Sequence, residues 1–243
     1  MISQLILVVA LALVHANAAK LLQLKDIPRS GALSFAGGVS VAYVFILIFP
    51  ELVEAQEAIS DHGMLAYLEY HAYLVALVGL TAFYGLERCV KHSRGAQNQK
   101  NEEPDKAAGL GVFWLHIVSF ALYNSLIGYL LVYREGEIFE LSLFVLAMGF
   151  HFLVNDNGLI KLQRSAYLHH GRWILSAAVL WGWGIGQFVK VSEATTSLLF
   201  AFLAGGIILN VLKEELPGDR QSRFMPFAVG AGVYATLLLL IAG

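Results

Sequence analysis

Apolar residues fill the chain in long runs, and polar residues gather in the breaks between them. Eight runs come close to the roughly 20 residues that an α-helix needs to cross a hydrocarbon core. They cover 2–23, 31–53, 69–88, 109–133, 138–161, 172–190, 194–213 and 223–242. The pattern predicts an all-α, polytopic membrane protein of eight transmembrane helices, a single transmembrane domain over residues 1–243. The breaks are short with one exception. "VKHSRGAQNQKNEEPDK", residues 90–106, is charged, rich in amides and interrupted by Pro104. It cannot bury a core, so a mobile loop is expected between helices three and four.

Composition agrees with the pattern. Of the 243 residues, 58% are hydrophobic and only 14% charged, where a soluble domain carries about 25% charged residues. Lipid is therefore the expected solvent for most of the chain. Cys89 is the single cysteine, which excludes an internal disulfide and a cysteine-built metal cluster. The first run ends in Ala16-Asn17-Ala18, a small-residue sequence like a signal-peptide cleavage site. No positive charge precedes the run, however, and Lys20 and Lys25 follow it. A retained helix is the expectation.

The placement of charge predicts an orientation. Lys20, Lys25 and Arg29 lie between helices one and two, and Arg88, Lys91, Arg94, Lys100 and Lys106 between three and four. Lys161, Arg164 and Arg172 lie between five and six, and Lys213, Arg220 and Arg223 between seven and eight. Only Arg134 and Lys190 fall on the other side. The positive-inside rule puts the four basic breaks in the cytoplasm and both termini outside it, in a cell or inner membrane. The outward segment after helix two carries Glu51, Glu54, Glu57, Asp61 and Glu69. It reads either as a collector of cations or as a solvated polar loop.

Helices two and seven echo one another. Ala36-Gly37-Gly38 precedes Pro50 as Ala204-Gly205-Gly206 precedes Pro217, with an acidic residue near each proline. The expected orientation makes these helices run in opposite directions, as in an inverted repeat. Small residues that let membrane helices pack closely would give the same echo without a repeat.

An ionisable group within a bilayer costs a few kcal/mol and needs a partner facing the bundle interior. The polar residues inside the runs are His15, Asn17, His116, Asn124, the stretch His151 to Asp156, and Asn210. His151 and Asn155 are four apart, so they stack on one helical face, with Asp156 one step round. Gly158 leaves room there for another backbone. An imidazole, an amide and a carboxylate together suit a borderline divalent cation such as zinc, manganese or ferrous iron. The same groups would equally form a proton-handling pair. They would also serve as a buried packing network, with Asp156 bonded to Asn124 or capped by Lys161. His116, Ser119 and Tyr123 share a face of helix four, beside Asn124 and one turn before Gly128. His15, His62, His71, His92, His169 and His170 give weaker signals, the last two reading as surface.

Taken together, these features resemble the ZIP (ZRT/IRT-like) family of divalent-metal transporters. That family has eight helices, both termini outside and a long cytoplasmic loop between helices three and four. "LSFAGGVSVAYVFILIFPELVEA" is similar to its helix two, "GLERCVKHSR" to its helix-three exit, and "LLFAFLAGGIILNVLKEELP" to its helix seven, with Glu214 three residues before Pro217. The metal motifs depart from the family. Where helix four usually reads H-N-x-P-[DE]-G, this chain has "YNSLIG". Asn124 and Gly128 remain, while Tyr123, Leu126 and Ile127 replace the histidine, proline and acid. Where helix five usually reads H-E-x-P-x-E-x-G, it has "HFLVNDNG". His151, Asp156 and Gly158 remain, Asn155 is a polar substitute, and Phe152 and Val154 replace the first acid and the proline. Leu47 stands three before Pro50, where many members have histidine, and the cytoplasmic loop has only His92.

The resemblance implies transport of a divalent cation by alternating access, through one degenerate metal site of Asn124, His151, Asn155 and Asp156. One carboxylate with neutral ligands offsets poorly the desolvation of a divalent ion. Losing both mid-helix prolines also removes the expected kinks. A non-transporting membrane partner or regulatory protein on the same fold is the second reading. An intramembrane metal hydrolase built from His116, His151, Asp156 and His15 is the third, and it needs three strong ligands with an open position. No enzyme activity, tightly bound cofactor or nucleic-acid partner is expected. The expected partners are the bilayer and a divalent metal ion, with a homodimer left open.

Overall fold

A computed structural model describes residues 2–22, 29–61, 70–98, 106–134, 136–215 and 223–242. Among the described residues all regular structure is helical. The helices are α1 (Ile2–Leu21), α2 (Arg29–Tyr43), α3 (Phe49–Asp61), α4 (His71–Asn98), α5 (Lys106–Tyr133), α6 (Ile138–Ala166), α7 (Arg172–Phe188), α8 (Glu193–Asn210) and α9 (Phe224–Ala242). Three π-helical segments join or extend them: Val44–Ile48 links α2 to α3, Tyr167–Gly171 links α6 to α7, and Val211–Glu215 prolongs α8.

Among the described residues, five stretches are long and apolar enough to cross a membrane: Ile2–Leu21, Gly31–Ser60, Phe113–Tyr133, Ile138–Phe188 and Glu193–Lys213. His71–Gly85 and Phe224–Leu240 are apolar but shorter. The longest of the five is not one straight rod. Gln163 leaves the helical region (φ −149°, ψ 80°), so the hydrogen-bond ladder breaks there and α6 and α7 take separate courses. The helix reaches further than apolarity alone foretells at two places. α3 continues to Asp61, so Glu54 and Glu57 lie on a helix rather than in a loop, and Glu69 is outside the described residues. α4 continues to Asn98, into the stretch expected to be a mobile loop; residues 99–105 are outside the described residues.

The helices pack in two groups. α1, α5, α6 and α7 hold to one another, with α5 against α7 and α1 against both α6 and α7. α2 pairs with α9, and α4 with α8. Three of these seams use one device. A side chain at Gly38 would overlap the Phe227 carbonyl, and one at Gly230 the Phe35 carbonyl. Gly79 faces the Phe202 carbonyl and Gly205 that of Ala76; Gly128 faces Val179 and Gly182 faces Ser125. Each helix therefore offers a glycine and, three residues earlier, the carbonyl that its partner's glycine meets. Without Cβ atoms the backbones approach closely, and weak Cα–H···O contacts add to the packing.

The core between the groups is mostly aliphatic and aromatic, with Val8, Leu11, Ile48, Ile127, Leu131, Met148, Phe152 and Ile207 almost wholly buried. Into it project His15, Asn124, His151, Asn155, Asp156 and Asn157, all buried.

Candidate polar site between α1, α5 and α6

α6 supplies most of this site because His151, Asn155 and Asp156 fall on its buried side, between α1 and α5. His151 and Asp156 are fully buried and Asn155 nearly so. The hydrogen bonds run in two groups.

The first group centres on α1. His15 Nδ1 lies 2.8 Å from Asp156 Oδ2, and Asn124 Nδ2 lies 2.9 Å from His15 Nε2. With the Asn124 amide so turned, Nε2 accepts, and the ring proton sits on Nδ1, where it is donated to the carboxylate. Phe152 stacks on the same ring at 4.3 Å and an interplanar angle of 24°. The Tyr167 hydroxyl lies beside Asp156 and donates to the His15 carbonyl at 3.2 Å. Asp156 Oδ1 is buried with no hydrogen-bond partner among the described residues. Such an oxygen loses its hydration and gains nothing in return.

The second group centres on His151. Asn155 Nδ2 and the Tyr123 hydroxyl each lie 3.1 Å from His151 Nε2. The four-residue spacing on α6 does bring His151 and Asn155 into contact, as the helical period requires. Tyr123, which stands where the resembled motif has histidine, closes this group from α5.

The four residues expected to form one shell are thus divided. Asn124 and Asp156 meet at the two nitrogens of His15, while His151 and Asn155 bond each other. The carboxylate takes its bond from His15 and not from Asn124 or Lys161. Gly158 is exposed and a Cβ there would meet nothing, so it makes no room for another backbone; Gly128 does make such room, against α7. His116 stacks on Phe120 at 6.1 Å. His169 and His170 are exposed, as surface residues would be. No three His, Cys, Asp or Glu side chains gather as a metal-ligand group among the described residues.

His15 is the residue of this site that the sequence signals only weakly. Its signal was available: Asp156 is the acid deepest within a long apolar run, and a histidine buried in another run is its natural partner.

One helical turn from this site, a cavity opens between α2, α5, α6 and α8, lined in part by Tyr43, Ile127, Arg134 and Phe144. Arg134 is engaged by Glu51 in a two-armed ion pair, with Nη1 3.1 Å from Oε2 and Nη2 on Oε1. Its guanidinium also lies over the Phe144 ring, 4.3 Å from the centroid. Burial opposes the charge on Arg134 most strongly of any single cause, but Glu51, Tyr43 and Tyr234 together outweigh it and hold the guanidinium above its ordinary value. No protein-family model matches this chain, and no curated protein matches its sequence.

Proposed function

We propose that this protein is an integral membrane transporter for a small cation, with a divalent metal such as zinc, manganese or iron as the cargo and Asp156 as the residue that receives it. The observation that carries the reading is the Asp156 carboxylate. It is fully buried in an apolar helical bundle, bonded on one oxygen by His15 and unpartnered on the other. A carboxylate is retained in such a place at a cost of several kcal/mol, and function is the default reason. A cation arriving at Oδ1 would supply the missing partner. Asn124, His151 and Asn155 would complete the shell by giving up their present bonds.

The architecture favours the same reading. Eight spans follow if the break at Gln163 divides the longest stretch and the two shorter apolar helices also cross. Gly38, Val44 and Pro50 correspond to Gly205, Val211 and Pro217 at one unchanging offset, and both π-helical segments fall at that offset. The seam of α2 with α9 is the counterpart of the seam of α8 with α4, glycine for glycine. These matches support an inverted repeat, the arrangement in which alternating access is commonly built. The basic breaks would then face the cytoplasm and the termini the outside of a cell or inner membrane.

A second reading is a membrane partner or regulatory protein that moves nothing. The observation in its favour is that both His15 nitrogens are already taken. Metal uptake into vesicles decides between them. Wild type should accumulate at least one of zinc, manganese and ferrous iron, and Asp156→Ala should abolish that uptake while still reaching the membrane. Wild-type vesicles that take up none of the three would leave the second reading standing.

A further inference from the structure

The Glu51–Arg134 pair stands at one end of a continuous strip. Along α5, Tyr123, Ile127 and Arg134 follow one another on one face at helical spacing, and along α6 His151, Met148 and Phe144 do the same. The polar site occupies one end of both strips and the ion pair the other. Between them lies the cavity, with Ile127, Met148 and Ile207, all fully buried, on its wall. Two features of this chamber go unexplained by packing. The Tyr43 hydroxyl, on its wall, is buried without a hydrogen-bond partner among the described residues. Tyr43 is also the last residue before the π-helical segment Val44–Ile48, where the hydrogen-bond ladder is rewound, and such segments recur at functional sites.

The ion pair itself is suited to opening. Arg134 lies just beyond the end of α5, and Glu51 lies in the first turn of α3, so the bond ties two helices that no covalent turn joins. Both side chains keep about a fifth of their surface exposed, 19% for Arg134 and 20% for Glu51. The pair is largely but not wholly buried, so exchanging its bonds costs less than it would for a fully desolvated pair.

We infer that Glu51 and Arg134 form the closure of a path to the polar site, that the cavity behind them is its first chamber, and that the Tyr43 hydroxyl offers an entering cation its first oxygen. The inference rests on the transport reading for its purpose, but its test needs no transport. In a Cys89→Ser background, Ile127→Cys places a thiol on the chamber wall. A charged, membrane-impermeant thiol reagent is applied separately to each face of sealed vesicles.

With the pair intact, labelling should be slow from both faces. Glu51→Gln should speed it by about tenfold or more, from one face only, as the closed population is released. Charge reversal, Glu51→Arg with Arg134→Glu, should restore slow labelling. Phe113→Cys, buried in a separate cluster, is the control and should stay unlabelled in every background. Unchanged labelling after Glu51→Gln overturns the inference. So does parallel labelling of the Phe113→Cys control, since the pair would then be a structural brace whose loss loosens the whole bundle. A failure of metal uptake alone, with gated labelling intact, would overturn the transport reading and leave the closure standing.

Discussion

Between α4 and α8 the contact is made by backbone. Gly79 meets the Phe202 carbonyl, Gly205 meets the Ala76 carbonyl, and the Phe83 and Phe202 rings pack beside them. Between α1 and α6 the contact is made by side chains, through the bond from His15 to Asp156 and the stacking of His15 on Phe152. A glycine seam is permissive: it sets how closely two helices approach and buries nothing that must be satisfied. The His15–Asp156 contact is demanding, because each member depends on the other for the free energy of its burial. Packing alone would be served by either. That the chain keeps a carboxylate at one seam and glycines at the others sets the α1–α6 seam, where the proposed cation site lies, apart from the rest.

The largest effect is expected from removing one member of the demanding pair. His15→Ala would leave Asp156 with both oxygens unpartnered and should cost about 3–5 kcal/mol. A large fall in Tm in detergent is the expected result. Replacing both members, His15→Leu with Asp156→Leu, should recover most of that stability while uptake stays lost. If the single variant unfolds no sooner than wild type, His15 is not the partner on which the burial of Asp156 depends.

The difference between the seams also explains what could be read in advance. The helical fold was legible because hydrophobic period and length determine whether a segment lies in lipid, whatever its neighbours are. The contact of His151 with Asn155 was legible for the same reason, being local to one helix. The bond from His15 to Asp156 depends on which helix packs beside which and on the rotation of each, and hydropathy is silent on both. The π-helical segments were hidden because Val44–Ile48, "VFILI", has nothing in its composition to mark the extra residue per turn. Gly128 and Gly158 occupied equivalent motif positions and looked alike. Only the neighbouring helix distinguishes them, since α7 lies against the first and nothing lies against the second.

The permissive seam should fail differently. Gly205→Val would press its side chain into the Ala76 carbonyl, and overpacking of this kind costs about 1–3 kcal/mol, or more where the backbone must separate. The loss should fall on folding yield and Tm in detergent, while any surviving folded protein still binds or moves its cation. Gly79→Val, on the facing helix, should behave alike, and the double variant should be less damaged than the sum, because one separation of the helices accommodates both. Fully additive costs would mean that the two glycines do not share one contact.

Within the polar site, Tyr123→Phe isolates the second hydrogen-bond group. It removes one bond to His151 Nε2 and leaves the bond from Asn155 in place, so the cost should be about 0.5–1.5 kcal/mol. The effect on uptake distinguishes the two groups. If Asp156 alone receives the cation, uptake survives; if the shell spans both groups, uptake falls with little change in Tm.

The smallest effect is expected at Gly158, and its sign carries the comparison. A Cβ at Gly158 meets nothing within 4 Å, and the residue lies exposed on α6 beyond the site. Alanine there loses less backbone entropy on folding, so Gly158→Ala should stabilise the protein by about 0.5–1 kcal/mol. The same change at Gly128, which faces the Val179 carbonyl of α7, should destabilise it instead. Opposite shifts in Tm for these two substitutions would mark α5 as the helix whose glycine is held by a seam. Equal shifts of the same sign would mean that α7 does not approach α5 as closely as the geometry requires, and that the contrast between permissive and demanding seams is overdrawn.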